Sequence, residues 1–313
     1  MRLPGTTYLV THTVHDRRLL LTPNPEVNRI ILYCAARAAC GLKVELHWFA
    51  VQSNHIHLGI TDFGTDLSRF MHAMDRAIAR CLIEYYRQTH PHRHLDAVWS
   101  RRSFSEVALL TPEAVIEAMV YSLTNSVKDG LVRDYRKWPG VCSRPADWMR
   151  PAHSAERPRQ FFNQQAKDWA TASLRYTVPP MLRDRPVDKV IEGIEQNIRD
   201  TQQAHRQRHA ASGRGFRGVK AVLNADPFDS PESVRPKGGR NPTVAAGGNR
   251  DMLRDGIRLV REFRERYREA WRSYKAGVGD VVFPAGTLQM RVLHAVRCDV
   301  LHAPWCAAAL SPG

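Results

Sequence analysis

The first 150 residues predict an α+β fold, and the order of two sequence patterns carries that prediction. Short β-branched or alternating segments predict strands at 6–14, 42–52, 55–61 and 103–110. Apolar residues at helical spacing predict helices at 24–40, 67–89 and 111–128. The resulting order is strand, helix, strand, strand, helix, strand, helix. That order is typical of a ferredoxin-like antiparallel sheet with helices on its faces.

Local signals define where several of these elements begin. Asn24 and Thr111 each precede a proline, the usual arrangement of an N-cap followed by the first helical residue. Only the short polar turn Ser53-Asn54 separates the second and third strands. Two strands joined by so short a turn must pair antiparallel.

The remainder, residues 151–313, is predicted to be a basic, mainly helical C-terminal extension with a Gly/Pro-rich linker near 212–250. Residues 1–150 carry a net charge of +5, and the extension carries +10. The whole chain of 313 residues therefore carries +15. Such an excess favours a polyanionic partner, with nucleic acid as the first expectation.

Other features of the composition argue against several classes of protein. No apolar stretch approaches the roughly 20 residues that a spanning helix needs, so no membrane partner is expected. The first residues do not have the pattern of a signal peptide. Six scattered cysteines contain no C-x-x-C pair, which argues against a zinc knuckle and a disulfide framework. A cytoplasmic location is expected.

The triplet His55-Ile56-His57 is the first candidate for chemistry. Side chains alternate along a strand, so both imidazoles project from one face while Ile56 points to the other. Two such histidines can chelate one cation through ring nitrogens. For an isolated H-x-H, a pair of surface or hydrogen-bonded histidines is the commoner outcome, so the motif needs a partner.

Tyr121 and Asn125 are the candidate partner, because residues four apart share one face of the helix predicted at 111–128. Asn offers an amide oxygen to a cation, and Tyr offers a phenol. A phenol is a weak nucleophile at neutral pH, and a metal ion assists by polarising and positioning the target phosphate. The alternative for Tyr121 alone is a half-buried aromatic residue that packs on the sheet.

Two segments in this order resemble the REP-associated tyrosine transposases, which are single-tyrosine HUH transposases of the insertion-sequence type. The segments are Asn54-His55-Ile56-His57-Leu58 and, some sixty residues later, Tyr121-Ser122-Leu123-Thr124-Asn125-Ser126-Val127-Lys128-Asp129-Gly130-Leu131-Val132. The family shows N-H-h-H-L and Y-I-x-x-N-P-V-x-A-G-L-V at these places. The similarity covers roughly residues 1–145, and the region 98–104 resembles the family's W/F-x-x-R-F segment.

The resemblance implies a function and a set of residue roles. His55 and His57 become metal ligands, Asn125 a third ligand, and Tyr121 the nucleophile. The implied reaction is attack on single-stranded DNA that forms a 5′-phosphotyrosine and frees a 3′-OH. The implied substrates are hairpins of REP-like palindromes. Mg²⁺ or Mn²⁺ is the implied cofactor, with Zn²⁺ as the rival.

Two positions depart from the family pattern. Ser126 stands where the family usually has proline, and Asp129 stands where it usually has alanine. Serine does not impose the local break that proline favours, so the helix is expected to run slightly further. This difference affects the geometry of Asn125 and not the presence of Tyr121.

Several basic and aromatic residues are predicted to contact nucleic acid. Arg101 and Arg102 follow Trp99, an arrangement that could hold phosphate and stack on bases, although a plain surface role is equally common. The segment Gly213-Arg214-Gly215-Phe216-Arg217-Gly218 matches G-x-G-x-x-G without a preceding strand. It is therefore interpreted as a basic loop, with Arg214 and Arg217 as contacts, and not as a dinucleotide site. Lys128 completes the predicted contacts.

Two other functions remain open at this point. A non-catalytic binder of DNA or RNA hairpins could use the same basic surface and sheet. A replication initiator or relaxase would use the same chemistry, but such proteins usually carry longer histidine motifs and further regions. The protein is expected to be a monomer or a homodimer.

Overall fold

Four antiparallel strands from the first 150 residues form the centre of the fold. The computed structural model describes residues 1–101, 104–166, 168–231 and 242–299. The strands, which lie in the order β2-β3-β1-β4, are β1 (Thr6–Thr13), β2 (Val44–Gln52), β3 (His55–Asp62) and β4 (Ser105–Leu109). The helices between and after them are α1 (Pro25–Ala39), α2 (Leu67–Thr89) and α3 (Pro112–Lys128). The predicted α+β sandwich with ferredoxin-like strand order is confirmed.

The capping residues explain where two of these helices begin. The side-chain oxygen of Asn24 accepts a hydrogen bond from the Val27 backbone N–H at 2.9 Å. Thr111 Oγ1 accepts one from the Ala114 backbone N–H at 3.2 Å. Each cap satisfies one of the N–H groups that a helix start leaves without an intrahelical partner.

The helices cover opposite faces of the sheet. His12 of β1 contacts Asp75 of α2, whereas His57 of β3 contacts Asn125 of α3. His12 stands opposite Ile56 in the β1–β3 register, and the side chains of adjacent residues such as Ile56 and His57 point to opposite faces. Ile56 and His12 therefore face α2, and the imidazole pair lies on the other side of the sheet under α3.

The extension contributes further elements that pack against the first 150 residues. The hairpin of β5 (His153–Glu156) and β6 (Thr171–Leu174) contacts α1, and α4 (Val187–Ala211) packs along α3. The remaining elements are α5 (Val219–Leu223), β7 (Val244–Ala245), α6 (Arg250–Lys275), β8 (Val282–Phe283), α7 (Gln289–His294) and β9 (Arg297–Cys298).

The extension also supplies a fifth strand, which the sequence did not predict. β7 pairs parallel with β4, so the sheet has the order β2-β3-β1-β4-β7 and is mixed at that edge. Its two residues fall inside the region predicted as a linker, and a segment so short shows no alternation of apolar residues. Residues 232–241 of that predicted linker lie outside the described residues.

Within the described ranges, each helix is either too short or too polar to cross a lipid bilayer.

Candidate active site

The start of β3 places two imidazoles side by side on the face of the sheet that α3 covers. In the register with β1, His55 stands opposite Thr13 and His57 opposite Thr11. Both histidines therefore project from one face, as the alternation in the sequence predicted. His57 is buried, with 3% of its surface exposed, while His55 is half-buried nearer the solvent.

The side chain of Asn125 meets both imidazoles at one point. Its Nδ2 atom lies 2.8 Å from His55 Nε2 and 2.9 Å from His57 Nε2. One amide nitrogen carries two hydrogens, so it can donate one to each ring. Both Nε2 atoms then act as acceptors, and their lone pairs converge on the same small volume.

The opposite nitrogens of the two rings are held by further side chains. His57 Nδ1 lies 2.9 Å from Thr11 Oγ1, and His55 Nδ1 lies 2.7 Å from Asn54 Oδ1. An amide oxygen only accepts, so His55 Nδ1 must carry the proton and donate it. This bond fixes the His55 tautomer in which Nε2 is free to bind a cation, and the Thr11 hydroxyl can accept from His57 Nδ1 in the same tautomer, the usual arrangement behind a metal-bound histidine.

The three side chains fit the requirements of a divalent-cation site. Ligand atoms about 2.1 Å from one octahedral ion lie about 3 Å apart, which matches the separations between the Asn125 amide and the two Nε2 atoms. A half-turn of the amide would place its oxygen where the nitrogen now lies. Among the described residues, no group of three His, Cys, Asp or Glu side chains could hold a metal. An octahedral ion held by these three side chains would take water or substrate oxygens at its other positions.

The electrostatic environment keeps His57 neutral. Burial lowers the pKa of His57 well below its usual value, and the nearby His55 and Lys128 lower it further. A neutral imidazole keeps the lone pair that a metal requires, so protons compete weakly for this position.

Tyr121 lies at the solvent edge of this cluster, one helical turn before Asn125. Its ring centre is 5.4 Å from that of His57, with the two ring planes inclined at 68°. The side chain is 43% exposed. Lys128 Nζ lies 4.8 Å from the centre of the tyrosine ring.

Packing beneath α3 determines where Tyr121 and Asn125 stand. The indole of Trp48 lies directly on Gly59, where a Cβ atom would come within 2.3 Å of the ring. Trp48 Nε1 donates a hydrogen bond at 3.1 Å to Ser122 Oγ, next to Tyr121. A glycine on β3 therefore lets a large ring from β2 support the helix that carries both candidate residues.

Ser126 lies within α3 and does not end it. α3 continues through this position to Lys128, and the Asp129 backbone N–H donates to the Asn125 carbonyl at 2.9 Å. Asn125 thus sits in regular helix, and its side chain still reaches both histidines.

The predicted nucleic-acid contacts fall in two places. Arg101 lines a cavity of about 320 Å³ together with Ser100 and residues 13–17. Arg214 and Arg217 are exposed in the segment that follows α4, beside the C-terminal end of α3. Arg102 lies outside the described residues.

Trp99 is held from two directions. Its ring stacks on His12 with centres 4.7 Å apart, and its Nε1 donates a hydrogen bond at 2.8 Å to the Asp75 carbonyl. It therefore anchors the segment that brings Arg101 to the cavity.

Sequence reasoning missed Thr11, Asn54 and Arg17. Asn54 could have been found from its place next to His55, since short polar side chains often bond their neighbours. Thr11 reaches His57 only through the register of β1. The carbonyl of Arg17 accepts a bond from Asn54 Nδ2 at 3.3 Å, and Arg17 also lines the cavity. No local pattern marks it.

Comparison with known proteins gives a distant structural likeness. The chain matches no protein-family model. No curated protein matches it in sequence. A solved structure described as a REP-associated tyrosine transposase bound to a REP hairpin is similar, with 19% identity and a TM-score of 0.38. The similarity covers 48% of this chain and 83% of that one.

Proposed function

We propose that this protein cleaves and rejoins single-stranded DNA beside a hairpin, with Tyr121 as nucleophile and a divalent cation held by His55, His57 and Asn125. One observation carries the proposal. Two imidazole lone pairs converge on the Asn125 amide, one helical turn from an exposed phenol. The basic character of the chain supports a polyanionic substrate.

The proposed chemistry exchanges one phosphodiester for another. The Tyr121 oxygen attacks phosphorus, and its new bond forms as the bond from phosphorus to the 3′-oxygen breaks. The phenol proton passes to water, and the departing 3′-oxygen takes up a proton. Rejoining reverses these steps, because a 3′-hydroxyl attacks the phosphotyrosine and releases the phenol. No external energy source is required.

Each residue of the site has a role in this proposal. His55, His57 and the Asn125 oxygen would hold Mg²⁺ or Mn²⁺, which polarises the phosphate as a Lewis acid when bound. Thr11 and Asn54 keep both Nε2 atoms free of protons. Lys128 places positive charge near the tyrosine ring, where negative charge develops on the attacking oxygen.

A covalent-adduct assay tests the proposal directly. A hairpin oligonucleotide with a single-stranded foot, labelled at its 3′ end, is incubated with protein and Mn²⁺ or Mg²⁺. The labelled fragment should remain attached to the protein in a denaturing gel. Tyr121→Phe should abolish this adduct, because the attacking oxygen is removed.

Tyr274→Phe is the matched control, since Tyr274 is 37% exposed but lies on α6. This variant should form as much adduct as the unaltered protein. An adduct that persists in Tyr121→Phe would remove Tyr121 from its role. Hairpin binding without any adduct in either metal would favour a non-catalytic hairpin-binding protein.

A further inference from the structure

The C-terminal end of α3 is covered by residues of the extension. His209 Nε2, from the end of α4, donates a hydrogen bond at 2.9 Å to the Lys128 carbonyl oxygen. The Arg217 backbone N–H donates to the Gly130 carbonyl at 2.9 Å. The 213–218 segment is therefore fixed to the helix that carries Tyr121.

Basic side chains from both parts of the chain gather at this junction. Arg206 donates a hydrogen bond to the Arg133 carbonyl at 3.1 Å. We call the set the junction surface, which comprises Lys128, Arg133, Arg206, Arg214 and Arg217. All but Arg206 are exposed, and Arg206 is half-buried.

The junction surface keeps its positive charge available. Throughout the described part of the chain, none of its five side chains forms an ion pair, whereas the neighbouring Asp134 is paired with Arg136 at 3.2 Å. Partial burial lowers the pKa of His205, and the charges of Arg208 and Lys128 add to that effect.

The arrangement of aromatic residues indicates which form of nucleic acid fits. Phe216 is the aromatic residue of the 213–218 segment, and it is half-buried. Arg133 Cζ lies 5.4 Å from the centre of its ring, and the His209 ring lies 5.0 Å from it. Single-strand binding relies on rings on which bases can stack. A surface whose ring is covered from two sides suits the phosphates of a duplex, which need charge alone.

A separate feature beside the site suits a single strand. The cavity of about 320 Å³ is lined by Arg17 and Arg101, and its volume is of the order of a small-ligand site. The Arg17 carbonyl accepts a hydrogen bond at 3.3 Å from Asn54 Nδ2, and Asn54 Oδ1 also bonds His55, so the cavity lies beside the candidate active site. A hairpin could thus place its stem on the junction surface and its unpaired foot in the cavity.

We propose that the junction surface binds the double-stranded stem of a DNA hairpin through its phosphates. Lys128 links this surface to the candidate active site, because its ammonium group lies 4.8 Å from the Tyr121 ring centre. A stem held here delivers the strand at its foot to the imidazole pair. The inference rests on the proposed function for the nature of the nucleic acid.

Equilibrium binding with paired probes tests the proposal. The full-length protein carrying Tyr121→Phe is titrated with a DNA hairpin that has a single-stranded foot, and with the same strand scrambled so that no stem forms. Arg214→Ala with Arg217→Ala should weaken hairpin binding about tenfold and leave the stemless strand within about twofold. The slope of log affinity against log salt should fall by about 2, roughly 0.9 for each phosphate that is no longer neutralised.

The matched control is Arg254→Ala with Arg258→Ala on α6, which removes the same charge. These two arginines are exposed but ion-paired with Asp251 and Asp255. Hairpin affinity should stay within about twofold in the control. Circular dichroism of both double variants should be unchanged, because Arg214 and Arg217 have exposed side chains and alanine retains the backbone bond to Gly130.

Each contrary result has a defined meaning. Unchanged hairpin affinity in Arg214→Ala with Arg217→Ala overturns the proposal, as does an equal reduction for the stemless strand. Tighter binding of an RNA hairpin of the same stem overturns the assignment to DNA. If the unaltered protein binds the hairpin but forms no adduct, and this variant no longer binds the hairpin, the junction surface is supported as the stem-binding site. The proposed nuclease activity is then rejected.

Discussion

Two histidine clusters lie on opposite faces of the same sheet, and they differ in what surrounds them. On the α2 face, His12 Nδ1 lies 2.9 Å from an Asp75 carboxylate oxygen, and its ring stacks on Trp99. On the α3 face, His55 and His57 direct their Nε2 atoms at one amide beside an exposed tyrosine.

The two clusters show that a buried imidazole does not by itself mark a metal site. His12 is buried like His57, but its bonded nitrogen faces a carboxylate and its ring is covered by an indole. The α3 face differs because two lone pairs converge and because one side of the cluster opens to solvent. Convergence of lone pairs and an open side, more than burial, therefore distinguish the candidate site.

The largest expected effect is on metal affinity, which should depend on the α3-face cluster and not on the α2-face cluster. His57→Ala should weaken Mn²⁺ binding at least about 100-fold, because removal of a direct ligand costs more than removal of a supporting hydrogen bond. His12→Ala should leave Mn²⁺ affinity within about threefold. Calorimetric titration of the full-length protein measures both. An equal reduction in the two variants would mean that the convergence of lone pairs on the α3 face does not bind metal.

A smaller effect is expected from the hydroxyl that holds His57. Thr11→Val keeps the β-branched shape but removes the acceptor for His57 Nδ1. Mn²⁺ affinity should fall about tenfold, the lower range for a side chain that orients a metal-binding histidine. Thr13→Val, at the neighbouring position opposite His55, is the control. Equal affinities for Thr11→Val and the unaltered protein would show that the hydroxyl does not control the tautomer.

The last expected effect concerns stability, and it uses another buried imidazole, which has neither metal-site feature. His47 of β2 is fully buried, and its ring nitrogens lie 2.9 Å from the Thr177 carbonyl oxygen and 2.7 Å from Thr61 Oγ1. Burial lowers the pKa of His47 to about 3. Below about pH 6.5 the unfolded chain binds a proton at His47 that the folded chain excludes. As far as His47 is concerned, the free energy of unfolding therefore has its full value above that pH and falls as the pH decreases.

The free energy of unfolding should therefore decrease by up to about 1.4 kcal/mol per pH unit from His47 alone, until the pH approaches the folded-state value. His47→Gln removes the titrating group and should reduce this slope. Urea denaturation between pH 7 and pH 4.5 measures the difference. Parallel pH profiles for the two proteins would contradict the prediction.

Much of the scaffold for the site could be predicted from local sequence. Asn24 and Thr111 begin helices as capping rules require, and alternation alone places His55 and His57 on one face. Helical spacing predicted that Tyr121 and Asn125 share a side of α3. These features depend on residues a few positions apart, whose geometry the backbone determines.

The features that were missed depend on distant parts of the chain. Thr11 supports His57 because of strand register, and β7 joins the sheet from more than 130 residues after β4. The arginines of the 213–218 segment were predicted to contact nucleic acid, but their place beside α3 follows from the packing of α4. Net charge could not locate them, since α6 is also rich in arginine and pairs several of its charges along its own surface.

The fifth strand has a consequence for any shortened form of the protein. The Ala108 and Leu110 backbone N–H groups donate to the Thr243 and Ala245 carbonyls at 3.0 and 2.8 Å. A segment from the second half of the chain therefore pairs with the edge of the sheet at β4. A fragment that stops near residue 150 would leave β4 with unpaired hydrogen-bonding groups in water. An exposed edge strand can pair with strands of other molecules. The fragment should therefore aggregate even though it contains every residue of the candidate active site.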